Sequence, residues 1–281
     1  MAKQDADGLA GRGMQVQAGI AGILDLGIGN VASVSNAVLR AGGKPVIISG
    51  MGSAGMDNAG KSMIGKGNAG NDRIGKVSDG KGMISKCDRL IIPGVGSFGA
   101  AMRAIRPYEK EVLDFAKSGK PVLGICLGMQ IMLGKGFEAG EYDGLGLFEG
   151  SVRKMDFAPK LPHVGWARIG REIDGNNGRA GNAIMAGNAE KAGNAKMAGK
   201  NVNEVWKGGI LDEIEQGEYM YFVHSYACFP EEKGVVQATC SYGRDFAACI
   251  NKGNVWGVQF HPEKSGKAGA RIIRNFLKLQ V

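Results

Sequence analysis

The chain has 281 residues, 48 of them glycine, a formal net charge of +8 and five cysteines. Glycine lies well above the roughly 7% of an ordinary globular chain, so core-forming sequence must alternate with stretches that build no core. The absence of an apolar run of about 18 residues excludes a membrane-spanning helix, the lack of a CxxC pair or Cys/His cluster argues against a disulfide framework and a metal site, and singly scattered basic residues argue against a nucleic-acid partner.

In chain order, residues 1–17 are polar and Gly-rich, with no apolar stretch of signal-peptide type, and are expected to be a flexible extension of a soluble, cytoplasmic protein. Ile20 to Leu26 reads as a buried strand, Asn30 to Ala41 as a helix and Val46 to Ser49 as a second strand. Residues 50–86 are rich in Gly, Asn, Ala and Lys and read as an insert. Leu90 to Ile92 is the third strand, and the Pro93-Gly94-Val95-Gly96 turn after it leads into a helix from Phe98 to Lys117. Val122 to Cys126 forms a fourth strand that runs directly into a helical pattern over Gly128 to Leu133. Residues 170–209, with repeated AGNA-type units of no fixed period, read as a second insert too poor in large apolar residues to offset the entropy of ordering glycine. Tyr221 to His224, Val235 to Thr239, Phe246 to Asn251 and Val255 to Gln259 are strands too closely spaced for helical crossovers. A final helix starts near Gly266, with Ser265 as its cap and Ile272, Ile273, Phe276 and Leu277 on one face. The alternation predicts an α/β fold: an open, mostly parallel sheet with helices on both faces, followed by an antiparallel section in the C-terminal half. Residues 18–281 are expected to form one domain carrying the two inserts.

Three segments carry chemistry. Gly124-Ile125-Cys126-Leu127-Gly128, between a strand and a helix, has the layout of a nucleophile elbow. Such a turn strains the nucleophile and needs flanking glycines, and the N–H groups beneath the sulfur favour its thiolate. The alternative is that Cys126 is a small buried apolar residue. Of the three histidines, His261 ends a strand and stands two residues before Glu263, which allows the carboxylate to hold one ring nitrogen while the other faces a thiol. The third segment is the turn at Gly94 and Val95, whose N–H groups, with that of Leu127, could form an oxyanion hole. All three should meet at the carboxyl ends of the strands, where open parallel sheets bind ligands.

GICLGMQ and QFHPEKS, together with PGVGSFGAAM at 93–102, LPHVGW at 161–166, YFVHSYA at 221–227 and Gly27-Ile28-Gly29-Asn30-Val31, make the chain resemble the class I (triad) glutamine amidotransferases, which have a flavodoxin-like fold. Within them it is most similar to the glutaminase subunits of imidazole glycerol phosphate synthase, an enzyme of histidine biosynthesis. The resemblance implies Cys126 as nucleophile, His261 as acid and base, and Glu263 as its orienting group. It implies that Gln130, Glu138, His224, Ser225 and Tyr226 hold the amino-acid end of glutamine, although Glu138 also reads as a surface carboxylate and His224 and His163 as structural histidines. No metal or organic cofactor is implied. The implied partner is a separate (β/α)8-barrel cyclase that receives ammonia through a channel, with Asn30, Tyr226 and Lys264 near the interface. Other readings are a glutaminase serving a different synthase, an inactive module of the same fold, and a free-standing cysteine hydrolase.

Overall fold

A computed structural model describes residues 19–49, 82–171 and 205–281. The N-terminal extension and most of both Gly-rich inserts lie outside the described residues. The insert edges that are described are packed: Ile84 in a 3₁₀ turn (Ile84–Lys86) and Trp206 are both buried.

Two sheets organise the described residues. The larger runs β2 (Lys44–Ser49), β1 (Ile20–Asp25), β3 (Arg89–Gly94), β4 (Val122–Cys126), β13 (Val255–Val258), β12 (Arg244–Lys252), β11 (Val236–Tyr242), β8 (His163–Gly170) and β9 (Tyr219–His224). From β2 to β13 all neighbours are parallel, and from β13 to β9 all are antiparallel. β13 is therefore the seam. It was expected within the antiparallel section, yet one of its edges is parallel to β4, a pairing between distant segments that strand spacing does not reveal. The smaller sheet, β10 (Tyr226–Pro230), β7 (Phe148–Lys154), β5 (Leu133–Gly136) and β6 (Tyr142–Asp143), had no counterpart in the predicted elements. β5 and β6 are short, and β7 and β10 carry too little alternation to stand out.

The parallel strands bury both faces, which is why they read as continuous apolar runs. Ala21, Ile23, Ile91, Leu123 and Ile125 join one core with α1 (Val31–Arg40) and α5 (Gly266–Lys278), while Leu24, Ile48, Leu90, Ile92 and Val122 join the other with α2 (Phe98–Ile105) and α3 (Glu109–Lys117). The helix expected from 98 to 117 is split by a 3₁₀ turn, Arg106–Tyr108, because Pro107 removes a backbone donor. At α1, Asn30 accepts the Ser33 N–H at 3.2 Å, a conventional cap. Ser265 precedes α5 but makes no such bond, since its hydroxyl is used elsewhere.

Candidate active site

β4 is buried throughout and ends on Cys126, whose backbone takes φ 54 and ψ −109. Non-glycine residues rarely occupy that region, and it persists only where the surroundings over-determine it. Here they do. A Cβ on Gly128 would lie 1.7 Å from the Ile92 carbonyl oxygen, and one on Gly124 would lie 2.7 Å from the Gly128 and Met129 backbone. These two glycines let α4 (Leu127–Gln130) press against β3 and β4. The helix expected over 128–133 is this single turn, because the chain re-enters an extended path at β5. The N–H groups beneath the sulfur are those of one turn and not of a long helix dipole.

The ladder brings the neighbouring parts together. Gly94 pairs with Cys126 on one side, and Val258 pairs with Ile125 on the other, so His261 arrives three residues past β13 at the same edge. Its Nδ1 lies 2.9 Å from Glu263 Oε1, and the two side chains are 3% and 1% exposed. The connection is anchored from two directions. The His261 N–H donates to the Tyr221 carbonyl at 2.8 Å, and the Ser265 hydroxyl donates to the His261 carbonyl at 2.7 Å while accepting the Tyr221 N–H at 3.0 Å. Burial alone would lower the imidazole pKa, but Cys126 and Glu263 outweigh it and raise it to about 9. His261 Nε2 is buried and has no hydrogen-bond partner among the described residues. The Cys126 interaction is thus a close approach without an aligned bond.

The other predicted residues surround this pair. Gln130 is buried, and its Nε2 donates to the Tyr226 carbonyl at 2.8 Å and to Gln259 Oε1 at 3.1 Å. His224 has both ring nitrogens engaged, Nδ1 with the Tyr226 carbonyl at 2.9 Å and Nε2 with His163 Nδ1 at 3.3 Å. Burial lowers the pKa values of His224 and His163 to about 3 and about 4. The Ser225 carbonyl accepts the Met155 N–H at 3.0 Å. Glu138 is half-buried, with Oε2 accepting the Phe98 N–H at the start of α2 at 2.6 Å. Leu127 is buried, while Val95 is exposed and its N–H donates to the Ile28 carbonyl at 3.2 Å. Gln259, Val223 and Ser265 were not singled out as site residues, yet the first two reach Cys126 and the third reaches His261. Gln259 had a signal, an uncharged polar side chain at the end of an otherwise apolar strand.

The family model described as glutamine amidotransferase class-I matches residues 78–279. An imidazole glycerol phosphate synthase subunit HisH from Methanocaldococcus jannaschii is 38% identical over 193 residues, covering 69% of this chain and 81% of that one. One from Salmonella typhimurium is 36% identical over 259 residues, covering 92% and 98%. A crystal structure of a glutamine amidotransferase aligns with a TM-score of 0.54 at 18% identity, covering 92% of this chain and 97% of that one, a likeness of fold. With the family model spanning most of its length and relatives of this identity, the chain belongs to the class-I glutamine amidotransferases.

Proposed function

We propose that the chain is the glutaminase subunit of an imidazole glycerol phosphate synthase, acting in the cytoplasm as one amidotransferase domain over residues 18–281. The observation that carries the chemistry is the strained Cys126 at the end of β4 beside the buried His261–Glu263 pair. Cys126 sulfur attacks the side-chain carbonyl carbon of glutamine. With its pKa near 9, His261 is protonated at neutral pH and gives a proton to the departing nitrogen, which leaves as ammonia. The remaining glutamyl thioester is attacked by water, from which His261 takes a proton, and glutamate leaves as the sulfur is restored. Glu263 keeps the imidazole oriented through both steps.

Two N–H groups would hold the oxyanion, those of Leu127 and of the Gly94-Val95 peptide. The second is tied to the Ile28 carbonyl, so the hole requires that bond to break. Ile28 lies beside Asn30 in the β1–α1 loop, and a partner seated on this loop, Tyr226 and Lys264 would be able to release it. Gln130, Glu138, His224, Ser225 and Tyr226 are read as the wall that holds the amino-acid end of glutamine. Since the Gln130 amide nitrogen is spent on protein acceptors, its oxygen is the atom left to meet substrate. The partner is a (β/α)8-barrel cyclase that consumes the ammonia, in keeping with relatives named as synthase subunits. Replacing Ile28 with proline tests the turn: its carbonyl is retained but the loop is restrained, and glutamate release in the complex should fall. Unchanged release would reject the Ile28 tie as the resting lock.

A further inference from the structure

Cys126 sulfur sits between two opposite hydrogen-bonding groups. The Val223 carbonyl is 3.9 Å away and can only accept, so it suits the thiol, whereas Gln259 Nε2 is 3.7 Å away and can only donate, so it suits the thiolate. Gln259 is fully buried. Its backbone is fixed by a 2.9 Å bond from its N–H to the Ala248 carbonyl of β12.

The direction of the amide follows from the chain of partners. The Tyr226 carbonyl can only accept, which obliges Gln130 to point its nitrogen there. That same nitrogen donates to Gln259, so the Gln259 oxygen must face Gln130 and its nitrogen must face the sulfur. His224 Nδ1 bonds the same Tyr226 carbonyl and holds it in place. A buried polar series of this kind has one satisfied arrangement, and reversing either amide would put like groups against each other.

We infer that Gln259 is a positioning residue for Cys126, its amide aimed by Gln130 so that a donor faces the sulfur and favours the thiolate over the thiol. This rests on the reading of Cys126 as the nucleophile. The titratable groups around the sulfur are His261 past β13, Cys228 on β10 and, behind His261, His224 on β9 and Glu263. Gln259 adds a neutral donor to that set, and its loss leaves their charges in place.

The test is the pH dependence of Cys126 alkylation by iodoacetamide in the full chain, with Cys126→Ser as the blank. It reads the thiol itself, so the glutaminase reading can fail without affecting the result. Gln259→Met keeps the shape and removes the donor: the midpoint should rise by about one pH unit, and the rate below it should fall about tenfold. Gln259→Glu, with an acceptor facing the sulfur when ionised, should raise the midpoint further. Midpoints unchanged in both folded variants would overturn the inference. Should the variants fail to fold, the wild-type Gln259 side-chain amide proton resonance decides: it should titrate with the alkylation midpoint, and a flat response would overturn the inference. In the complex, a positioning role also predicts a lower kcat for glutamine with KM little changed.

Discussion

The unfavourable backbone of Cys126 and the buried carboxylate of Glu263 are both costly features that packing alone does not require. Glu263 is held inside the protein by its contact with the His261 imidazole, and its effect on His261 is measurable. Because the His261 pKa rises from 6.5 to about 9 on folding, the associated stability is full below 6.5 and lost as pH climbs through 9. Urea denaturation of wild type should show this loss between those pH values, and Glu263→Gln should narrow the window. An equal loss in both would contradict the linkage. The same variant should lower glutamate release about a hundredfold or more through misorientation of the ring.

Among the elements, the β4–α4 turn tolerates least. Gly128→Ala would drive a methyl into the Ile92 carbonyl, a backbone atom with nowhere to go, and should destabilise the fold by about 1–3 kcal/mol while abolishing activity. Thermal melting and turnover check this together, and an alanine variant with native melting would show that α4 can shift. Strands β8 and β9 carry a second liability. His163 and His224 are buried with pKa values near 4 and 3, so protons bound by the unfolded chain are refused by the folded one, and stability must fall as pH drops from 6.5 toward those values. His163→Phe keeps the stacking surface against Tyr242 and Phe222 and should make the acid limb shallower. An unchanged limb would place acid sensitivity elsewhere. The sequence made the parallel strands legible because burial on both faces writes them as apolar runs. It hid the α4 boundary, since the stop after Gln130 is set by tertiary packing, and it hid the pairing of β13 with β4. It also hid the direction of the Gln130 and Gln259 amides, which depends on contacts between residues over a hundred positions apart.

At the scale of the molecule, the sheet has two cores, one under α1 and α5 and one under α2 and α3, and Cys126, His261 and Glu263 stand at its carboxyl edge where β3, β4 and β13 end side by side. The His261–Glu263 contact was legible because the two residues stand only two apart, and the turn at Cys126 because its strained backbone needs flanking glycines. The state of the Gly94-Val95 turn was not, since nothing in Pro93-Gly94-Val95-Gly96 says that the Val95 N–H meets Ile28. With that N–H turned away, the chain alone should hydrolyse glutamine poorly. The most direct measurement is glutamate release from glutamine by the purified chain, alone and with a cyclase subunit plus its ribonucleotide substrate, with Cys126→Ser as control. Strong stimulation by the partner that vanishes in the serine variant is expected; equal release with and without the partner, or release that survives loss of the thiol, would contradict a partner-gated Cys126 glutaminase.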